Sequence, residues 1–279
     1  MNILAVYRKT EYEKQQERGT WRELLEKDPQ EAAHLLLKHE EEKVTLDKVM
    51  QALQPYTHDL ILREQFKHVQ NKDLVISVGG DGTFISASHA IGDTPLLGVN
   101  ATRFSVGFYT AATGDTIASM LSTLDAVPRT TLQRYRLFID DYAIPEMMLN
   151  DVRIGDSNPA ETIDDVRVNG KALQGKQYAI LACTPQASTA WMWNEGGLVM
   201  PLHEPRLQYT FLSRRNKQHL FAEDLHVKLK AKHGMLYIDG SYTHYPFTSR
   251  NTIHIVPGEK LTIIGDLAKK QYEFLRDLK

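Results

Sequence analysis

The sequence has little of what would betray a function by composition alone. One cysteine, Cys183, in 279 residues excludes an intrachain disulfide and a cysteine-built zinc cluster, and fits a reducing compartment. No segment reaches the roughly eighteen consecutive apolar residues of a membrane span. The apolar run Ile3 to Tyr7 is too short for the core of a secretory signal. A surplus of one charge is lacking too: 33 Lys and Arg against 35 Asp and Glu leave a formal net charge of -2. No nucleic-acid or membrane partner is implied, and any phosphate binding has to be local. There is no Walker A loop, no G-x-G-x-x-G fingerprint, no internal repeat and no low-complexity tract. His203, His219 and His226 lack the i, i+4 spacing and acidic companion of a helical zinc site, so no metal site built by the protein is expected. A soluble, cytoplasmic protein is expected.

What is present is enough apolar material for a substantial core, 42% of residues, arranged in two textures. The first hundred residues alternate strand-like and helical runs: NILAVY at Asn2–Tyr7, a Glu-, Lys- and Leu-rich stretch from Thr20 to Leu53 broken at Pro29, and a short strand at Leu60 to Leu62. A strand at Asp73 to Val78, a helix opening near Thr83 and a strand at Thr94 to Val99 follow. That order predicts an α/β domain, a parallel sheet with flanking helices, over residues 1–100. Beyond Asn100 the runs TLQRYRLFID, MMLNDVRIG, KQYAILACT, GMLYID and NTIHIVPG are short, β-branched or aromatic, and bounded by Gly, Pro, Asn and Asp. They predict a β-rich C-terminal domain over 101–255. The last segment, 256–279, is expected to return to the first domain.

The stretch VISVGGDGTF, Val75 to Phe84, runs an apolar strand into three glycines around an aspartate. Glycines after a strand permit positive φ and let backbone N–H groups approach a phosphate, and the N-terminus of a following helix favours the same charge. Gly79, Gly80 and Gly82 fit that cradle. Asp81 does not: a carboxylate beside phosphate oxygens is repelled unless it holds a metal ion or takes a proton from a nucleophile. Together they point to phosphoryl transfer. A Gly-Gly-Asp-Gly run alone is most often a turn.

At these residues the chain resembles the NAD kinases, whose hallmark is a Gly-Gly-Asp-Gly-Thr motif at a strand end. Diacylglycerol and sphingosine kinases share that motif. The segment TPQASTAW, Thr184 to Trp191, followed by Gly196-Gly197, is similar to the family's Thr-Pro-x-Gly-Ser-Thr-Ala-Tyr segment, which lipid kinases lack. LGVN at Leu97–Asn100, GFY at Gly107–Tyr109, MLNDV at Met148–Val152 and YIDG at Tyr237–Gly240 resemble further family motifs in the same order. There are departures. The family's Arg-Gly-Asp-Gly stretch is replaced by GKQYAILACTP, with Lys176, Gln177 and Tyr178; Asp151 stands for a Glu, Ala187 for a Gly, Trp191 for a Tyr. The pattern looks like a divergent branch.

The resemblance implies an NAD kinase that moves a phosphoryl group from ATP or another donor to the 2′-hydroxyl of the adenosine ribose. Asp81 would be the base. Gly79, Gly80, Gly82, Thr83, Phe84, Phe108, Tyr109, Asn150, Asp151, Thr184, Ser188, Thr189 and Ala190 would line the nucleotide sites. Mg²⁺ or another divalent cation would arrive with the donor phosphates, and a dimer or tetramer is expected. Without the resemblance, Phe108, Tyr109, Trp191 and Trp193 would be read as core rather than as contacts for a base. Arg214, Arg215 and Lys217 read best as a solvated charge run. Two rivals stay open. A lipid or sugar kinase would explain only the glycine loop, and a non-catalytic dinucleotide-binding protein would explain the lost Arg-Gly-Asp-Gly stretch.

Overall fold

The computed structural model describes residues 1–163, 165–173, 176–212, 218–240 and 243–277, and the chain divides into two compact units, 1–131 with 261–270 and 132–260 with 271–279. In the first unit the elements run β1 (Asn2–Tyr7), α1 (Glu11–Glu17), α2 (Trp21–Lys27), α3 (Pro29–Leu53), β2 (Thr57–Leu62), β3 (Leu74–Gly79), α4 (Asp81–His89), β4 (Leu96–Asn100), β5 (Thr110–Thr113) and α5 (Ile117–Ser122). The strands form a parallel sheet in the order β2-β1-β3-β4, with β5 along β4. Parallel strands are covered on both faces, which is why β1 and β3 read as continuous apolar runs. Every residue of β3 is buried. Ile3, Ala5, Leu74, Ile76, Leu97 and Val99 share one core with Val49 and Leu53 of α3, each large aliphatic side chain contributing roughly 1.5–3 kcal/mol. The break expected at Pro29 is present: α2 ends at Lys27 and Pro29 opens α3 at its first turn, behind an Asp28 side chain that accepts from Glu31 N–H at 3.0 Å.

The unit extends to Thr131 rather than to residue 100. The reason is local. Asn100 and Val99 pair with Thr113 and Ala112 of β5, and Ile117 and Leu121 of α5 join the same core, so no composition change near Asn100 separates two bodies.

The second unit is β-rich, as the texture of the sequence predicts. After β6 (Arg129–Ile139), which begins in the first unit, come β7 (Tyr142–Ala143), β8 (Asp151–Asp156), β9 (Val166–Val168), β10 (Lys171–Leu173), β11 (Ala179–Cys183), α6 (Trp191–Asn194), β12 (Leu207–Leu212) and β13 (His219–Ala222). Then follow β14 (Leu225–Leu229), β15 (Gly234–Ile238), β16 (Thr243–Phe247), β17 (Ile253–Ile264) and α7 (Leu267–Asp277). Six strands make an antiparallel sheet in the order β13-β12-β11-β8-β15-β16. Val152, Ile154, Ile180, Ala182, Leu236 and Ile238 point from it into a core shared with Val166, Val168, Leu225 and Val227. On β11, Leu181 and Cys183 pack instead with Ala187 and Met192. Cys183 is fully buried and burial pushes its thiol pKa far up. The last strand, β17, pairs with β14 through Ile253–Ile255, and its final residues, Ile263 and Ile264, belong to the first unit, where they pair with Leu96 and Leu97.

Candidate active site

The Gly-Gly-Asp-Gly turn sits at the carboxyl end of β3, where parallel sheets carry their ligands. Gly80 caps α4 and Asp81 is its first residue. None of Gly79, Gly80 and Gly82 has a positive φ, so the expected left-handed backbone is replaced by a demand for space. A Cβ on Gly80 would lie 2.3 Å from the Ser105 hydroxyl, and one on Gly79 2.4 Å from that of Thr83. At Gly82, which is exposed, a Cβ would meet nothing within 4 Å.

The positive φ belongs to Gly107, at +64°, and it turns the next two residues toward the aspartate. Phe108 N–H donates to Asp81 Oδ2 at 3.1 Å and Tyr109 N–H to Oδ1 at 2.9 Å. Lys270 Nζ donates to the carbonyls of Gly107 and Thr110 and holds that turn from α7. So Phe108 and Tyr109 do join the site, but through their backbone. The Tyr109 ring is 2% exposed and stacks on Phe84 at 5.0 Å, and Phe84 is fully buried. These two rings are enclosed beneath the turn rather than open to the cavity, since α4 directs Phe84 inward. Phe108 packs edge-on against Tyr109 and is half-buried.

A cavity of about 300 Å³ opens on this turn, lined by Gly80 to Thr83, Phe104, Arg8 and Lys38 among others. Sequence reasoning missed both cations. Arg8 follows β1 directly, a position that could have been flagged, whereas Lys38 lies in a helix crowded with charge and carries no signal.

In the second unit the best-built feature is a carboxylate clamp. Asp239, of the YIDG motif, accepts the N–H groups of Leu149, Asn150 and Asp151 at 2.8, 2.7 and 3.0 Å, and its own N–H donates to Asp151 O at 2.8 Å. It fixes the turn that presents Asn150 and Asp151. No role for Asp239 was legible, since its partners lie 88 to 90 residues away. Asp151, with Arg153, Trp191 and Tyr237, lines a pocket of about 320 Å³. Burial, and then the nearby charge of Asp239, push the Asp151 carboxyl up to about 7. The Arg153 guanidinium lies over the Tyr237 ring at 5.5 Å.

The TPQASTAW segment follows β11 and divides by exposure. Thr184 is fully buried and donates to Leu149 O at 2.7 Å; Ser188 is fully buried and donates to Pro185 O at 2.6 Å, while its oxygen accepts from Met200 N at 2.9 Å. The Ser188 hydroxyl closes its own turn, and the Thr184 hydroxyl ties the segment to Leu149 ahead of β8; both side chains are enclosed. Thr189 is half-buried and Ala190 exposed. Where the family's acidic stretch is missing, Gln177 forms an isolated bridge with Ile163. Arg214, Arg215 and Lys217 lie outside the described residues. Among the described residues no three His, Cys, Asp or Glu side chains group as a metal cage.

Comparison with known proteins finds relatives in sequence and in fold. The family model described as the ATP-NAD kinase N-terminal domain matches residues 21–127. A probable NADH kinase of Oryza sativa is 28% identical over 224 residues, 67% of this chain and 69% of that protein. An NAD kinase of the archaeon Natronomonas pharaonis is 33% identical over 140 residues, 46% of this chain; the match spans 50% of the archaeal protein. Among solved structures, an NAD kinase from Archaeoglobus fulgidus in complex with ATP superposes with a TM-score of 0.73 at 16% identity, covering 100% of both chains. That last likeness is one of fold.

Proposed function

The chain belongs to the NAD kinase family, and from that premise we propose that it phosphorylates NAD(H), transferring the terminal phosphoryl group of ATP or another phosphate donor to the 2′-hydroxyl of the adenosine ribose. The 2′-oxygen forms the new bond to phosphorus, the bridging bond to the rest of the donor breaks, and with ATP the products are ADP and NADP(H). The observation that carries the reading is the Asp81 carboxylate, fixed by two backbone N–H groups at the end of the glycine turn. Each of its oxygens keeps a further lone pair, so it takes the proton of the attacking hydroxyl while the turn holds it in place.

Asn150 and Asp151, set by Asp239, hold hydroxyl or amide groups of the dinucleotide, an amide beside a carboxyl offering donors and acceptors together. Thr189 and Ala190 border the nucleotide. A divalent cation such as Mg²⁺ would arrive with the donor phosphates, held chiefly by their oxygens, and would supply charge neutralisation. We place the protein in the cytoplasm and expect it to act as a homo-oligomer.

The test is incubation with Mg-ATP and NAD, and separately NADH, read by an NADP-specific dehydrogenase beside a binding titration of each dinucleotide. Formation of NADP(H) is expected. Saturable dinucleotide binding without product would leave a binding protein, and absence of both would favour a kinase for another alcohol.

A further inference from the structure

The cavity at the glycine turn carries more positive charge than the motif accounts for. Arg8 stands one residue beyond Tyr7, whose register partner is Val78, and so lies level with the start of the turn. One end of its guanidinium is fixed by Glu42 at 2.8 Å, and its Nε–H, buried, has no acceptor. Lys38 comes from α3. The two carboxylates one turn along that helix are engaged elsewhere: Glu42 by Arg8, and Glu41 by the Thr102 hydroxyl at 2.9 Å and Arg103 at 3.1 Å. Lys38 is left with no ion-pair partner among the described residues. The one carboxylate lining the cavity is Asp81, whose oxygens already accept two N–H groups. Thr83, 2% exposed, lines the same cavity, and its hydroxyl is buried without a hydrogen-bond partner. These groups surround the N-terminus of a nine-residue helix whose second residue, Gly82, leaves the approach open.

One cation without an ion-pair partner, a second with a free Nε–H, an unsatisfied buried hydroxyl and a helix N-terminus converge on one small space, and their common complement is a polyanion. At about 300 Å³ the cavity stands at the lower end of ligand pockets, which run from roughly 300 to 1,000 Å³, so it suits a phosphate chain better than a whole nucleotide. We propose that Arg8 and Lys38 are the cationic ligands of the donor's phosphate chain, with Glu42 orienting Arg8 and the Thr83 hydroxyl donating to a phosphate oxygen. This rests on the kinase reading and adds to it the two residues that set donor affinity.

The direct probe is inorganic tripolyphosphate, titrated by calorimetry into the full-length protein. Lys38→Ala, on a partly exposed helix face, should weaken its binding about 10- to 100-fold, as loss of a charge-assisted hydrogen bond does, and Lys38→Glu should abolish it. KM for Mg-ATP should rise by a similar factor, with KM for NAD changed less than about threefold. Arg8→Met is made together with Glu42→Gln, so that no buried carboxylate is stranded, and should act in the same direction, with melting temperatures confirming the fold. The proposal falls if the wild type does not bind tripolyphosphate, if Lys38→Glu binds it as the wild type does, or if the loss appears in KM for NAD instead. Tripolyphosphate binding that is lost in Lys38→Glu, in a protein that makes no NADP, would sustain the site and overturn the kinase reading. NADP formation with unaltered tripolyphosphate and ATP constants in Lys38→Glu would do the reverse.

Discussion

Asp81 engages both carboxylate oxygens with the backbone of the Phe108–Tyr109 turn, and this changes what its substitution reports. Asparagine offers one acceptor where two are needed and turns an amide toward an N–H, so Asp81→Asn should lose roughly 1–3 kcal/mol of stability in chemical denaturation. Turnover should fall by about 10²- to 10⁴-fold if the proposed base is removed, with NAD affinity little changed in a binding titration. A fully active variant would leave the aspartate as a loop anchor alone. Asp151 makes a second prediction at this scale. Its carboxyl is raised from 3.8 to about 7 by burial and then by Asp239, so the folded protein binds more protons than the unfolded chain between those values. Stability from this group is therefore present at low pH and lost as pH rises through about 7, by up to roughly 4 kcal/mol. Asp151→Asn, neutral throughout, should flatten that dependence and exceed the wild type at pH 8, as urea unfolding at pH 5 to 8 would reveal.

Among the elements, those whose pattern is local could be read before the structure was seen. VISVG is an apolar run closed by glycine and α4 follows it at once; β8 and β11 sit where DVRIG and AILAC were expected. α1 carries its own local signal, the full capping box of Thr10 and Glu13, written in the residues. What the sequence could not disclose was the use of hydroxyls and carboxylates over long separations. Thr184 and Ser188 look ligand-facing because they sit in a polar motif, yet Ser188 closes its own turn on Pro185 and Thr184 reaches Leu149, 35 residues away, and Asp239 finds its partners on a distant strand end. Gly80 gives the prediction proper to an element. Its backbone, at φ -97° and ψ -169°, suits any residue, and only the Ser105 side chain forbids a Cβ. Gly80→Ala should lower activity and the melting temperature, and the added change Ser105→Gly should restore much of both.

For the whole molecule, both the α/β character of the first unit and the β character of the second follow from sequence texture, while the point of division did not. β5, TAAT, and α5, IASMLS, are too short and too ordinary to announce that they complete a parallel sheet. Exposed apolar side chains in the second unit, Leu198 at 61% and Tyr272 at 67%, are suited to contact between copies. Light scattering at micromolar concentration should give a multiple of 31.8 kDa; the monomer mass alone would remove the oligomer from the proposal.

The lone thiol of β11 offers a clock. Cys183 is wholly enclosed, and burial holds it in the unreactive protonated form, so a colourless aromatic disulfide reagent reaches it only after the strand has parted from its register partners, Asp151 on β8 and Gln208 on β12. Because the first unit has no sulfhydryl, the labelling rate times the opening of the second unit by itself. If Asn150 and Asp151, next to the same strand, grip a dinucleotide as proposed, its binding should slow that clock in proportion to its occupancy.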